Sequence, residues 1–188
     1  MAFRDIMLNF TKSNDWDLGA TLGSGDTEYA PDAITLPTDT QSWDDIGGGE
    51  DLYVAIHVVE SIDSAGSPQI RFDVGLADDN AGTGFYRIGE TKGFTKAELT
   101  VTAPDFTSTP PVNVGVLQPA AANAILIPLR PLEIDLDGST KGKFISLRAV
   151  ETASVALSEG KVRAWLTIGK DTGVQGLKHF HRSGFTVE

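Results

Sequence analysis

Histidine is the first residue type to consider for catalysis or metal binding, and the chain has three histidines. His179 and His181 are separated by one residue, a spacing that places both imidazoles on one face of an extended segment. Two metal ligands in a glycine-rich tail fall short of a zinc site, so we predict no metal site. His57 lies inside a strongly apolar stretch, which indicates a core or subunit-interface residue rather than a catalytic base.

Carboxylates are abundant, but their spacing does not define a site. Asp135, Asp137 and Ser139 faintly resemble a calcium-binding loop, yet the further oxygen ligands and the closing glutamate of an EF-hand are missing. Residues 78–80 and 44–45 are typical of turns and caps. A glycosidase needs only two carboxylates, which 26 acidic residues cannot exclude, but no pair stands out.

Other catalytic and cofactor-binding motifs are missing from the sequence. Gly23-Ser-Gly25 has no third glycine and no following helical pattern, so it is not a dinucleotide fingerprint. The nucleophile elbow, the Walker A motif and the zincin motif are absent. The chain has no cysteine, which excludes disulfides, thiolate zinc sites and cysteine nucleophiles. We therefore predict a binding or structural protein without a cofactor, and not an enzyme.

The sequence is organised around two apolar segments, residues 51–59 and 69–77. The second alternates strictly, which predicts a strand with one buried face. The first is apolar on both faces, which predicts a central strand covered on both sides. Because turn-forming residues separate them, we predict that the two segments form a β-hairpin at the centre of a sheet.

Further strand patterns predict an all-β fold. Residues 143–150 and 161–168 form a second predicted hairpin, and the pattern of residues 92–102 fits either a helical turn at 96–99 or a strand at 98–102. Shorter strands are predicted at 33–36, 85–91, 112–117 and 124–129, with an edge strand near 132–136. No stretch of twelve or more residues shows helical spacing. These features predict a β-sandwich or jelly roll with an extended N-terminal arm and a C-terminal tail.

The chain divides into three predicted parts. Residues 1–49 form an N-terminal arm and loops that pack on or beyond the core, residues 50–168 form the β-sandwich core, and residues 169–188 form the tail. Isolated aromatics in such segments are expected to anchor the chain, either on its own domain or on a neighbouring subunit. The predicted partner-binding residues are Trp16, Tyr29 and Trp43 in the arm and Phe180 and Phe185 in the tail.

The net charge of −11 is concentrated near the N-terminus, because residues 1–51 contain eleven Asp or Glu against Arg4 and Lys12. This acidic segment disfavours nucleic acid and anionic membranes as partners. Docking on a basic protein surface and simple solubility are both consistent with it. We predict no signal peptide and no membrane span, so the protein stays where it is made or leaves inside a larger particle.

The order of strands and turns over residues 42–168 is similar to that of a known family. It is carried by Asp44-Asp-Ile-Gly-Gly-Gly, Leu52-Tyr-Val-Ala-Ile-His-Val-Val-Glu, Gln69-Ile-Arg-Phe-Asp-Val-Gly-Leu-Ala-Asp-Asp, Ile125-Leu-Ile-Pro-Leu, Lys143-Phe-Ile-Ser-Leu-Arg-Ala-Val and Glu159-Gly-Lys-Val-Arg-Ala-Trp-Leu-Thr-Ile. This pattern resembles the small jelly-roll capsid cement (decoration) proteins of tailed bacteriophages, of the type known from a Bordetella podophage. The acidic stretch before Ser42 and the tail after Ile168 depart from the usual compact member.

The resemblance implies a homotrimer on the outer surface of a virion, made in the host cytoplasm and seated between major capsid proteins at three-fold positions. Two other functions stay open. A carbohydrate-binding β-sandwich module of a phage fibre or adhesin would stack an exposed tryptophan on sugar, and a jelly-roll hydrolase would depend on one particular carboxylate.

Overall fold

A computed structural model describes residues 9–11, 15–35, 52–101, 125–129 and 144–168. Within these ranges the chain forms ten strands, one short α-helix and one 3₁₀ helix. In chain order they are β1 (Trp16–Asp17), α1 (Leu18–Thr21), β2 (Thr27–Tyr29), β3 (Ile34–Thr35), β4 (Leu52–Asp63), β5 (Gln69–Ala77), β6 (Tyr86–Glu90), β7 (Phe94–Thr95), the 3₁₀ helix (Lys96–Leu99), β8 (Ile125–Leu129), β9 (Phe144–Glu151) and β10 (Glu159–Ile168). No helix in these ranges is long and apolar enough to cross a membrane.

The strands form two antiparallel sheets that face each other. The four-stranded sheet has the order β1-β10-β4-β8. The six-stranded sheet has the order β2-β9-β5-β6, with β3 also pairing with β9 and β7 with β5. Their inner faces carry the apolar side chains whose alternation is visible in the sequence, and these side chains form one continuous core. The all-β sandwich is therefore confirmed.

The two predicted hairpins are wrong, although the strands themselves are correct. β4 pairs with β10 and β8, whereas β5 pairs with β9 and β6, so residues 64–68 carry the chain from one sheet to the other. β9 and β10 are likewise in different sheets. Alternation shows which face of a strand is buried, but it does not identify the strand that pairs with it. Both connections therefore lead from one sheet to the other instead of turning within a sheet.

This crossing gives the sandwich the strand order of a jelly roll. Along the chain β1, β4, β8 and β10 belong to the four-stranded sheet, and the strands between them belong to the six-stranded sheet. Early strands pair with late ones, β1 with β10 and β2 with β9, so the chain is wrapped around the core from both ends. β4 and β5 are central in their sheets, as their sequences predict.

Residues 9–35, where described, are an integral part of this body. The Phe10 N–H donates to the Ala164 carbonyl oxygen at 3.0 Å, next to the pairing of β1 with β10. Trp16, Leu18 and Leu22 are at most 2% exposed and lie in the core. Of the two predicted alternatives, packing on the same domain applies to these residues.

Several local predictions can be compared directly with the described residues. β6 and β8 confirm the strands predicted at 85–91 and 124–129, β3 confirms the one at 33–36, and the 3₁₀ helix decides residues 96–99 in favour of a helical turn. The Glu98 carboxylate accepts hydrogen bonds from the Thr95 N–H and hydroxyl, both at 2.9 Å, and so caps that turn. The strands predicted at 112–117 and 132–136, the 44–45 and 135–139 motifs, His179, His181 and the tail lie outside the described residues.

Candidate interaction surface

The outer face of the six-stranded sheet collects polar side chains from four strands. Ile70, Phe72 and Val74 point into the core, so the alternate residues of β5 point outward. The register places Asp73 between Arg148 of β9 and Glu90 of β6. A row of charged side chains therefore crosses this face.

Asp73 is the centre of that row and has no solvent exposure. Its carboxylate accepts from Arg71 Nε at 2.8 Å and Nη2 at 3.2 Å, and from Arg148 Nε at 3.1 Å and Nη2 at 3.0 Å. The hydrogen bond with Asp73 raises the pKa of Arg71 above its usual value, although burial opposes this. A buried carboxylate held by two guanidinium groups is paired and charge-assisted, so both arginines are fixed in place.

β6 adds a more exposed ion pair to the same face. Arg87 Nη1 lies 2.6 Å from Glu90 Oε2 and 4.0 Å from Asp73 Oδ1. The side chains of Arg87 and Glu90 are 44% and 48% exposed, so their pair contributes little to stability. We call Arg71, Arg87, Arg148, Asp73 and Glu90 together the arginine face.

Two aromatic rings border the arginine face. The guanidinium carbon of Arg148 lies 4.2 Å from the centre of the Phe85 ring, and Tyr29 meets Phe85 edge to face at 5.7 Å. Gly75 leaves room for Phe85, because a Cβ there would lie 2.6 Å from the ring. Gly82 has a φ of +83°, and a Cβ there would lie 2.3 Å from the ring of Tyr29. Tyr29 is thus packed on its own domain at one edge of the face.

The remaining predicted partner-binding residues have different placements. Trp16 is 2% exposed and meets Phe72 edge to face at 6.5 Å inside the core, so the indole offers no surface to a partner. This corrects its assignment as an anchor on another subunit. Trp43, Phe180 and Phe185 lie outside the described residues, and their partner-binding role stays a prediction.

The turn after β5 confirms the prediction that residues 78–80 are turn residues. Asp79 Oδ1 accepts from the N–H groups of Ala81 at 3.0 Å and Thr83 at 2.9 Å, and its hydrogen bonds with Thr83 chiefly lower the pKa of Asp79. Asn80 Oδ1 accepts from the Ala33 N–H at 2.7 Å. The turn is therefore fastened to the segment between β2 and β3.

A groove of about 340 Å³ runs between β6 and β8, where the two sheets open. It is lined by Arg87, Ile88, Gly89, Glu90, Pro128 and Leu129. The ion pair at the edge of the arginine face is therefore also one wall of the groove.

Glu151 is a second buried carboxylate, but its partners are backbone groups. It is 2% exposed and accepts from the N–H groups of Gly25, Gln69, Ala153 and Val155. Burial alone would raise the pKa of Glu151, and the four donors outweigh it, so its pKa is lowered. No group of three or more His, Cys, Asp or Glu in the described part of the chain is placed to hold a metal ion.

The sequence contains the residues of the arginine face but not their grouping. Arg71, Asp73 and Arg148 are outward positions of strands that alternation identifies correctly, whereas their contact depends on the pairing of β5 with β9 across more than 70 residues.

Comparison with protein-family models found no matching family, and comparison with curated proteins found no match. The case for a function therefore rests on the geometry of the fold and of this face.

Proposed function

We propose that this protein is a structural virion protein that binds the outside of an icosahedral phage capsid and stabilises it by bridging major capsid proteins. The observation that carries the proposal is the jelly-roll strand order. Five of the six segments on which the sequence resemblance depends correspond to β4, β5, β8, β9 and β10. They include the two inner strands of each sheet, β10 and β4 in one and β9 and β5 in the other. The same resemblance supports a homotrimer on the outer virion surface.

The mechanism is stabilisation by preferential binding. A protein that binds the assembled shell, and not its separated subunits, lowers the free energy of the shell relative to disassembly. A trimer contacts several capsid subunits at once, so weak single contacts combine into a strong one. The buried Asp73 carboxylate holds two partly exposed arginines in place at the surface. A surface fixed in this way keeps its shape when it binds and loses little conformational entropy.

The experiment is co-sedimentation with emptied, expanded capsids assembled from the major capsid protein of the same genome. The chain has a mass of 20.0 kDa, so a trimer of about 60 kDa is expected in light scattering. Saturable binding to the expanded shell, and a higher temperature of shell disassembly, are the expected results. A protein that stays in the supernatant at all concentrations would refute the proposal.

Removal of the N-terminal region is unsuitable as a test. The segment up to residue 42 contains β1, β2 and β3 as well as the core residues Trp16 and Leu18. Its deletion would unfold the sandwich, and lost binding would then say nothing about a capsid-binding arm. That the protein has no enzymatic activity stays a prediction from the sequence.

A carbohydrate-binding role is a second candidate, favoured by one observation. Trp16 and Trp165 are only 2% and 4% exposed, but Tyr86 is 70% exposed and precedes Arg87 at the groove between β6 and β8. An exposed ring beside polar side chains suits a sugar. Binding on a glycan array that is lost in Tyr86→Ala would support this role, and an array without any signal would exclude it.

A further inference from the structure

The charged side chains of the described residues are unevenly distributed over the surface. These residues include fourteen Asp or Glu and only seven Lys or Arg. Three of the seven basic residues meet on the arginine face. Asp73, which has no exposure, offers no carboxylate to solvent there, so Glu90 is the only exposed acidic group among the five residues of the face. The five residues of the arginine face carry three positive and two negative charges, a net charge of +1, on a protein with a net charge of −11.

The arginine face is also preorganised. Arg71 and Arg148 use Nε and Nη2 to bind Asp73, and no described residue accepts a hydrogen bond from the Nη1 of either. A guanidinium group has five N–H donors, so each arginine keeps donors for a further acceptor. Their side chains are 29% and 24% exposed, which leaves these groups accessible. Little side-chain entropy is lost when such a fixed donor binds.

We propose that the arginine face is the surface by which the protein docks, and that it binds a protein surface that presents carboxylates. The planar guanidinium fork matches a carboxylate, which accepts two parallel N–H bonds. At physiological salt the Debye length is about 8 Å, so acidic groups that lie farther than this from the face are largely screened from a compact acidic patch bound there. A long polyanion such as nucleic acid extends beyond the face and is repelled by the rest of the protein.

This inference rests on the proposed function only for the identity of the partner, a capsid protein. The decisive variant is Arg87→Gln, because Arg71 and Arg148 hold the buried carboxylate and their removal threatens folding. Arg163→Gln is the matched control. Arg163 is 43% exposed and pairs with Asp15 at 2.7 Å, almost as Arg87 pairs with Glu90, but it lies on β10 in the other sheet.

Capsid co-sedimentation of these variants tests whether the arginine face is the docking surface. We expect Arg87→Gln to bind capsids roughly three- to tenfold more weakly than Arg163→Gln, with a smaller loss of affinity in added salt. Glu90→Gln removes the exposed carboxylate of the face and should strengthen binding by a similar factor, whereas a damaged fold would only weaken it. Glu60→Gln is its control, since Glu60 is 42% exposed and pairs with Lys161 in the other sheet. Equal binding of Arg87→Gln and Arg163→Gln would overturn the proposal.

A second measurement separates this inference from the proposed function. If the unmodified protein does not bind capsids, the capsid role fails, and titration with a hexaglutamate peptide at low salt still tests the face. Weaker binding of the peptide by Arg87→Gln than by Arg163→Gln would then support a carboxylate-binding surface. Equal peptide binding by the two variants would refute it. Tighter binding of a hexathymidylate than of hexaglutamate would refute the carboxylate assignment in favour of nucleic acid.

Discussion

Glu151 provides the sharpest test of how this sandwich is held together at one end. Its buried carboxylate joins three loops, because Gly25 precedes β2, Gln69 begins β5, and Ala153 and Val155 follow β9. Oε1 accepts from Gln69 at 3.3 Å and Ala153 at 2.9 Å, while Oε2 accepts from Gly25 at 3.0 Å and Val155 at 2.9 Å. The substitution Glu151→Gln keeps the shape and replaces one oxygen by an NH₂ group.

The size of the expected stability loss follows from these four hydrogen bonds. The amide nitrogen cannot accept, so two of the four backbone N–H groups lose their acceptor, and the other two bonds lose the assistance of the charge. A hydrogen bond to a charged group contributes about 1.5–3 kcal/mol, and the lower desolvation cost of a neutral amide offsets part of the loss. We expect the free energy of unfolding to fall by roughly 2–4 kcal/mol at pH 7, which corresponds to a decrease in Tm of roughly 5–15 °C.

The loss of stability caused by Glu151→Gln must be larger at neutral pH than at acidic pH. The pKa of Glu151 is lowered in the folded protein from its usual value of 4.5, so its ionised form stabilises the fold above that pH. This contribution is lost as the pH falls through the lower folded pKa, because the folded state must then bind the proton as well. The difference between the unmodified protein and Glu151→Gln should therefore be full at pH 7 and should narrow below about pH 4.5.

Urea unfolding followed by far-ultraviolet circular dichroism measures this difference at each pH. Glu159→Gln is the control, because this substitution removes the same charge at an exposed position, the beginning of β10. We expect the control to change the unfolding free energy by less than about 0.5 kcal/mol. If Glu151→Gln is as stable as the control at pH 7, or if its deficit is the same at pH 4 and pH 7, the carboxylate does not join the loops as described.

Three further substitutions test the core and the arginine face by the same urea unfolding. Asp73→Asn should lower the unfolding free energy by roughly 2–4 kcal/mol, because two guanidinium groups lose their charged acceptor, and a loss below 1 kcal/mol would show that the pairing is unimportant. Trp16→Ala should cost about 3–5 kcal/mol through the cavity that it leaves, and a neutral result would place Trp16 at the surface. Gly82→Ala forces a Cβ against the ring of Tyr29 at a φ of +83° and should cost at least about 1 kcal/mol. Part of that cost should disappear in a Tyr29→Ala background, and strict additivity would contradict the contact.

Local alternation was sufficient to identify the longer strands. In β5 and β9 every second residue points into the core, as their sequences predict. In β4 residues 53–56 are buried on both faces, whereas His57 and Val59 on the outer face are only half-buried. β1 and β2 have only two and three residues, which is too short for any periodicity to be visible. Their strand conformation depends on hydrogen bonds to β10 and β9 that lie more than 100 residues away. For the same reason Trp16, isolated in a segment without a pattern, gave no sign of its place in the core.

The sequence by itself determined the all-β class, the inward and outward faces of the main strands and the turn at residues 78–80, because each depends on neighbouring residues alone. Only the tertiary structure decided which strands pair, and with them the arginine face. β4 pairs with β10 and not with β5, and Asp73 meets Arg148 because β5 pairs with β9. Pairing of distant strands depends on how two apolar faces pack together in three dimensions, and that fit is a property of the whole chain.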